Sequence, residues 1–321
     1  MCMTVFLNFL SIARGWPELI MHWTRIDLIF LKPPYQPPKW SLLKQLRILT
    51  VVFWSLAFLE NGMYFASHYY NFLMERLVCH PEDTRHSYKE YLETALMSDV
   101  FTYFDYHIMV VILTFFFNTA FTVTWNFMDF FIMAVSLGIA TRFQQFAERI
   151  ELLEGNYVPD ALWNQIRQHH ILLCEFMEKV NEHLSAIVLL SSINNMYFIC
   201  NQLLNIFTKL RYPISTVYFW MSLAFLLGRT CGVFMFASRI RDASLLPLKT
   251  LYLVPSGCWT EEVQRFLAQI LDEPLGLTGK YFYTVTRQGF FGMMSTIVTY
   301  EFMLLQLDAK SREGDLPDLC T

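Results

Sequence analysis

Charge is scarce in this 321-residue chain: Asp, Glu, Lys and Arg make up 16% of it, against about a quarter in ordinary soluble domains. No block of basic residues is present, so a nucleic-acid partner has no electrostatic footprint here. The seven cysteines (Cys2, Cys79, Cys174, Cys200, Cys231, Cys258 and Cys320) are scattered, with no CxxC and no paired spacing. That excludes a disulfide scaffold and a structural zinc site. Gly and Pro number twelve each, and there is no internal repeat or low-complexity tract. There is no GxSxG, no HExxH, no P-loop and no GxGxxG opening a helix, so the chain is not expected to be an enzyme. His169, His170 and Cys174 lie within about a turn of one another, but they lack carboxylate support and are not read as a metal site. No cofactor is expected. There is also no Asn-x-Ser/Thr acceptor to mark an extracellular loop.

What is abundant is apolar surface. Hydrophobic residues make up 55% of the chain, with 30 Phe, 16 Tyr and 8 Trp. One aqueous core cannot hide that much, and a lipid solvent accounts for it. Crossing the hydrocarbon layer takes roughly 20 apolar residues. Residues 49–70 carry Glu60 as their single charge, 106–140 carry Asp129, 184–207 none, 214–237 Arg229 and 288–307 Glu301. The second stretch contains no turn signal, so it is read as one long, tilted or protruding helix. Residues 1–13 resemble the tail of a further span. They lack the basic region and cleavage site of a signal peptide. The expectation is a single all-α transmembrane domain over residues 1–321.

Lysine and arginine set the sidedness. Segments 14–47, 142–179 and 239–287 together hold sixteen of them; segments 76–89, 209–211 and 310–312 hold seven, with Arg229 left inside a span. The richer group is assigned to the cytoplasm and the C-terminus to the exterior. Cys79 and Cys320 then lie outside, which leaves room for one bridge. Residues 163–183 read as a polar, aromatic helix projecting below the membrane into the next span. Residues 260–273 read as an amphipathic helix with Thr260 as N-cap, Glu261 and Glu262 in the first turn, and Val263, Phe266, Leu267, Ile270 and Leu271 on one face. The segments around 163–183 and 260–287 form a cytoplasmic anchor.

Polar groups within spans are costly unless paired or hydrated. Glu60, Asn61, Asp129, Asn194, Asn195, Asn201 and Arg229 all fall there. One reading is that they satisfy one another and hold the helices in register. Their number also suits a wet interior between helices. Tyr64, His68, Tyr197, Tyr218 and Trp220 lie in the outer halves of the same spans. Aromatic faces beside carboxylates and amides suit a polyhydroxylated ligand, whose C–H faces stack while its hydroxyls hydrogen-bond. An ordinary interfacial aromatic belt accounts equally well for Tyr218 and Trp220.

Near the C-terminus, Thr299-Tyr300-Glu301-Phe302-Met303-Leu304-Leu305-Gln306 resembles the TY-(five residues)-QF signature of insect gustatory receptors, with Leu307 in place of the final Phe. Leu277-Thr278-Gly279-Lys280-Tyr281-Phe282 with Thr286-Arg287 is similar to the approach to the last span in the sugar-receptor branch. Trp125-Asn126-Phe127-Met128-Asp129 followed by Arg142-Phe143-Gln144-Gln145, then Glu60-Asn61, Trp16-Pro17 and Pro33-Pro34-Tyr35, extend the likeness over nearly the whole chain. The resemblance implies a seven-transmembrane-helix receptor-channel bundle with the N-terminus inside and the C-terminus outside. Against that pattern, this chain lacks the first helix and part of the second. It further implies a tetrameric, ligand-gated, non-selective cation channel in the plasma membrane of chemosensory neurons. Each last helix would line a shared pore, with Tyr300, Glu301, Leu304, Leu305 and Gln306 as pore or gate positions.

The function expected is a gustatory receptor subunit for a mono- or disaccharide, in a homo- or hetero-tetramer with other gustatory receptor subunits. Glu60, Asn61, Tyr64, His68, Asp129, Asn194, Asn195, Asn201 and Trp220 are the expected ligand contacts, with Arg229 holding Asp129 or Glu60 in place. Two alternatives stay open: a non-conducting accessory subunit, and a secondary transporter using Arg229 and Asp129 for coupling. The transporter reading calls for repeated halves and interrupted helices, and the sequence has neither. An epitope fused after Thr321 is expected to bind antibody on intact cells. Labelling confined to permeabilised cells would reverse the topology.

Overall fold

The computed structural model describes residues 2–79, 88–206, 211–272 and 275–308. Among them the chain is almost wholly helical: α1 (Cys2–Phe30), α2 (Leu42–Cys79), α3 (Tyr88–Tyr91), a π turn (Leu92–Leu96), α4 (Ser98–Phe101), α5 (Ile108–Glu151), α6 (Asp160–Leu204), α7 (Pro213–Leu245), α8 (Pro247–Tyr252), a 3-10 turn (Ser256–Cys258), α9 (Glu261–Asp272) and α10 (Arg287–Asp308). Four stretches, Leu42–Cys79, Ile108–Glu151, Asp160–Leu204 and Pro213–Tyr252, are long and apolar enough to cross a membrane.

Helix α5 is unbroken over 44 residues, roughly 66 Å at 1.5 Å per residue, about twice the ~30 Å hydrocarbon layer. It starts where His107 accepts the Met109 N–H on Nδ1 at 3.2 Å. It ends in a turn completed by Gly155 at φ +76°, a conformation that glycine adopts without a Cβ clash. The 45 residues of α6 are likewise continuous from the polar stretch near Trp163 into the apolar one. Helix α1 runs on to Phe30 through Pro17, well past residue 13, where the partial span was expected to end. Cys79 is disulfide-bonded, while Cys174, Cys200, Cys231 and Cys258 are free; Cys320 lies outside the described residues.

Residues divide into two compact units, each drawing on several helices. The first comprises Met1–Val51, Phe127–Asn194 and Thr230–Met293. Its core holds Phe143, Phe146 and Ile150 of α5, Ile166 and Leu173 of α6, and Val263, Phe266 and Ile270 of α9. Leu271, expected on the apolar face of α9, is exposed, because only the i, i+3, i+7 positions point fully inward. Thr260 accepts the Gln264 N–H through its carbonyl, but its buried hydroxyl makes no hydrogen bond, so it does not cap through its side chain. Glu262 instead accepts from Arg167 of α6 at 2.9 Å. That bond holds its carboxyl below the usual carboxylate range.

His170 sits against the rings of Phe143, Phe146 and Phe266. Burial pushes its pKa down to about 4, so the imidazole is neutral, with Cys174 Sγ 3.4 Å from Nδ1. His169 Nδ1 meets the Tyr35 hydroxyl at 2.7 Å. Arg142 donates to Asp27 at 2.7 Å and to Gln145 at 2.6 Å, and Gln145 donates to the Gln36 carbonyl. The Arg-Phe-Gln-Gln block thus fastens α1 and the segment after it to α5.

A short hairpin precedes α10, with a β-bridge between Thr278 and Thr284 and Lys280 and Tyr281 at φ 50° and 63°. It docks on α6: Asn181 Oδ1 accepts from the Thr278 N–H and hydroxyl, the Ser185 carbonyl accepts from the Lys280 N–H, and the Tyr283 hydroxyl donates to Ser192 Oγ. A Cβ at Gly279 would stand 2.4 Å from the Tyr283 ring, so that ring would have to leave its place and its hydrogen bond to Ser192.

The second unit comprises Val52–Asn126, Asn195–Arg229 and Met294–Thr321. Phe72, Tyr91 and Leu92 form a small apolar cluster that seats the segment after α2 on that helix, and Arg76 pairs with Glu90 across the same junction. Gly279→Ala is expected to destabilise the protein by about 1–3 kcal/mol, the usual cost of overpacking. The check is a lowered melting temperature of the purified protein in detergent.

Candidate functional site

The second unit encloses a polar cavity of about 340 Å³. Four helices wall it, each by one stripe at helical spacing. Helix α2 contributes Glu60, Asn61 and Tyr64; α5 contributes Asn118, Thr122, Trp125 and Asn126. Helix α6 contributes Phe198 and Gln202, and α7 contributes Tyr218, Ser222, Phe225, Leu226 and Arg229. The α7 set falls at i, i+4, i+7, i+8 and i+11, so one face of a helix with no net amphipathic bias supplies the whole wall.

At one end the Ser222 hydroxyl donates to Glu60 Oε1 at 2.9 Å, and the Tyr218 hydroxyl to the same oxygen at 3.4 Å. Gln202 Nε2 donates to Ser222 Oγ at 3.1 Å. A carboxylate, an amide and two hydroxyls therefore converge from three helices. At the other end Arg229 donates from one guanidinium nitrogen to Asn126 Oδ1 at 2.8 Å and from another to Asn195 Oδ1 at 2.9 Å. Its cationic carbon also lies 5.8 Å from the Phe225 ring centre, and the residue is only 8% exposed. A guanidinium is suited to this, because its planar fork can bridge two acceptors at once. Aromatic faces at Tyr64, Trp125, Phe198 and Phe225 separate the polar groups. The arrangement can exchange hydrogen bonds with several hydroxyls and stack against a ring.

Of the expected contacts, Glu60, Asn61 and Tyr64 line this cavity. His68 lies one turn further along α2, its ring 4.5 Å from that of Tyr64. Asn195 is not among the lining residues but is hydrogen-bonded to Arg229, which is. Asn201 and Trp220 are exposed; Trp220 is two residues, about 200° of helical rotation, from Tyr218. Asp129 and Asn194 belong to the first unit. Asp129 is 0% exposed there and accepts from the Ser191 hydroxyl at 2.5 Å.

Asn118, Thr122, Gln202, Ser222 and Phe225 were not anticipated. Their signal was nevertheless present: Asn118, Thr122 and Asn126 form an i, i+4, i+8 polar stripe within the mostly apolar first half of α5.

On α10, Phe290, Ile297 and Glu301 are buried, whereas Tyr300, Phe302 and Met303 are exposed. Glu301 lies against Cys200 of α6, and its Oε2 has no hydrogen-bond partner among the described residues. The side chains of Leu304, Leu305 and Gln306 lie outside the described part of the structure.

The sequence profile described as "Trehalose receptor" matches residues 1–320. The chain belongs to the trehalose receptor family. The receptor is 49% identical to "Gustatory receptor for sugar taste 61a" of Drosophila melanogaster, over 97% of its own length and 71% of the fly protein. It is 38% identical to "Gustatory receptor for sugar taste 64a" of the same fly, over 99% and 70%. The insect gustatory family and its sugar-receptor branch, expected from the motifs, are thus borne out. The fold of the receptor is shared with the insect olfactory receptor OR5 from Machilis hrabei, solved in complex with eugenol, at a TM-score of 0.60 and 16% identity over 83% of this chain and 67% of that one. The expected all-α, multi-pass membrane fold is the one found.

Arg229→Lys is expected to destabilise the receptor by about 1–3 kcal/mol, since a single ammonium cannot bridge Asn126 and Asn195 in the guanidinium's geometry. Its melting temperature in detergent and its surface expression are the measurements.

Proposed function

We propose that this receptor detects sugars as a subunit of a ligand-gated, non-selective cation channel at the surface of chemosensory neurons. The polar cavity of the second unit would be the seat of a mono- or disaccharide. The observation that carries the reading is the meeting of Glu60, Gln202, Ser222 and Tyr218 with the rings of Tyr64 and Trp125 in one cavity of about 340 Å³. That size is at the lower end of small-molecule pockets, commonly about 300–1,000 Å³. The relatives' names, for sugar taste, point to the same chemistry.

Glu60, Asn61, Tyr64, Asn126 and Gln202 are assigned as sugar contacts, with Asn195 acting through Arg229. His68 is assigned a supporting place beside Tyr64. Asp129 ties α5 to α6 through Ser191 within the first unit, where Asn194 is also buried, and Trp220 and Asn201 face outward. For gating, α10 presents Tyr300, Phe302 and Met303 to neighbouring subunits of a tetramer, while Glu301 stays turned toward α6 in this state. Sugar favours opening to the extent that it binds the open arrangement more tightly than the closed one; a few kcal/mol suffices.

Glu60→Gln and Gln202→Ala are each expected to raise the sugar concentration for half-maximal current about 5- to 15-fold, the equivalent of one hydrogen bond, at unchanged surface expression. Whole-cell recording with a panel of sugars is the check. Unaltered dose–response curves for both would remove the cavity as the sugar site. Current only after coexpression of a second subunit would assign an accessory role, and uptake without current a transporter.

A further inference from the structure

We propose that the receptor has a second, separate site for a compact, uncharged, lipophilic aromatic molecule, in the larger cavity of the second unit. This cavity measures about 800 Å³, and its lining residues include no Asp, Glu, Lys or Arg. Six of its twelve lining residues are aromatic. Phe65 and Phe115 are in ring contact on its wall, with centroids 6.0 Å apart, and Tyr69 meets Tyr91 edge-on at 5.2 Å and 88°. Planar rings presented at several inclinations match an aromatic guest, which gains from offset and edge contacts as well as from area.

One end is closed by the segment after α2. Tyr91, Leu92 and Met97 there are buried, held down by packing on Phe72 and by the pairing of Arg76 with Glu90. The side wall on α5 is open, because Ile112, Phe115 and Phe116 line the cavity and are also exposed. A guest would therefore arrive laterally, from the apolar phase that α5 faces. A phospholipid is a poor fit. Among the described residues the nearby cations are engaged, Arg76 by Glu90 and Lys89 by Glu93 at 3.7 Å, and none of them lines the cavity. The position also matters for the polar cavity: Tyr64 and Phe65 on α2, and Asn118 and Thr119 on α5, are neighbours in sequence that line one cavity and the other.

The test is photolabelling of the full chain in detergent with an aryl trifluoromethyl diazirine, mapped by mass spectrometry, with 2-naphthol as competitor. Saturable adducts are expected within residues 88–97 and 111–119, falling at least tenfold with excess 2-naphthol. The same loss is expected in Ile112→Trp, which fills the open side from an exposed position. Leu96→Trp, on the opposite wall, is the second variant should the first fail to fold. Adducts at exposed Phe58 should stay constant as the internal control. Adducts in the two segments that rise linearly with probe, that ignore both competitor and tryptophan, or that phosphatidylcholine displaces in place of 2-naphthol would overturn the site. The readout involves no sugar and no current, so it stands or falls apart from the assignment of the polar cavity.

Discussion

A cation in the middle of an apolar helix is the constraint around which the second unit is organised. Arg229 cannot be left unsolvated in hydrocarbon. Its guanidinium is met by Asn126 of α5 and Asn195 of α6, so three helices share one set of hydrogen bonds. Register follows from that, since shifting α7 by one residue would carry the guanidinium about 100° away from both amides. The same register delivers Ser222 and Tyr218 to Glu60 two turns and more along. The structural and the ligand-binding readings of these polar residues are thus not rivals. Bonds that satisfy the buried charge also shape the wall of the cavity.

The first unit solves a different problem with similar means. Its long helices carry apolar residues on most faces, and non-directional packing alone would leave their rotation weakly specified. Directional bonds supply the missing specification: Arg142 to Asp27 and Gln145, Arg167 to Glu262, Tyr35 to His169, and Asn181 to Thr278. His170 shows the complementary strategy, an imidazole kept neutral and used as a ring among Phe143, Phe146 and Phe266. Besides Cys174, one turn away in sequence and 3.4 Å away in space, the surroundings of the imidazole are aromatic.

Two cavities of opposite character on the same turns of α2 and α5 follow from helical phase. On α2, Tyr64 and Phe65 differ by about 100° around the axis, enough to put one side chain among amides and the next among rings. The same holds for Asn118 and Thr119 on α5. A helix in lipid has no obligatory water-facing side, so each sector can be given over to a different environment, and a small movement of either helix alters both cavities together.

Much of the architecture was legible in the residues. The long apolar stretches, none with more than a single charge, fall largely within α2, α5, α6, α7 and α10, because hydrocarbon thickness sets a length that composition must meet. The absence of turn residues between 106 and 140 announced one long helix, and the terminal motifs announced the family. The polar residues of these helices stood out in the sequence, and the structure adds Asn126 and Asn195 as hydrogen-bond partners of Arg229. Glu60, Asn61 and Tyr64, picked out as polar and aromatic residues within a span, line one cavity with Gln202 and Ser222, whereas Trp220 and Asn201 turn outward. Sequence specifies which residues a helix carries at each depth, through hydropathy and rise per residue. Which of them meet across a cavity depends on the rotation of each helix about its own axis, and that is decided only when the helices pack and the buried charges find their hydrogen bonds.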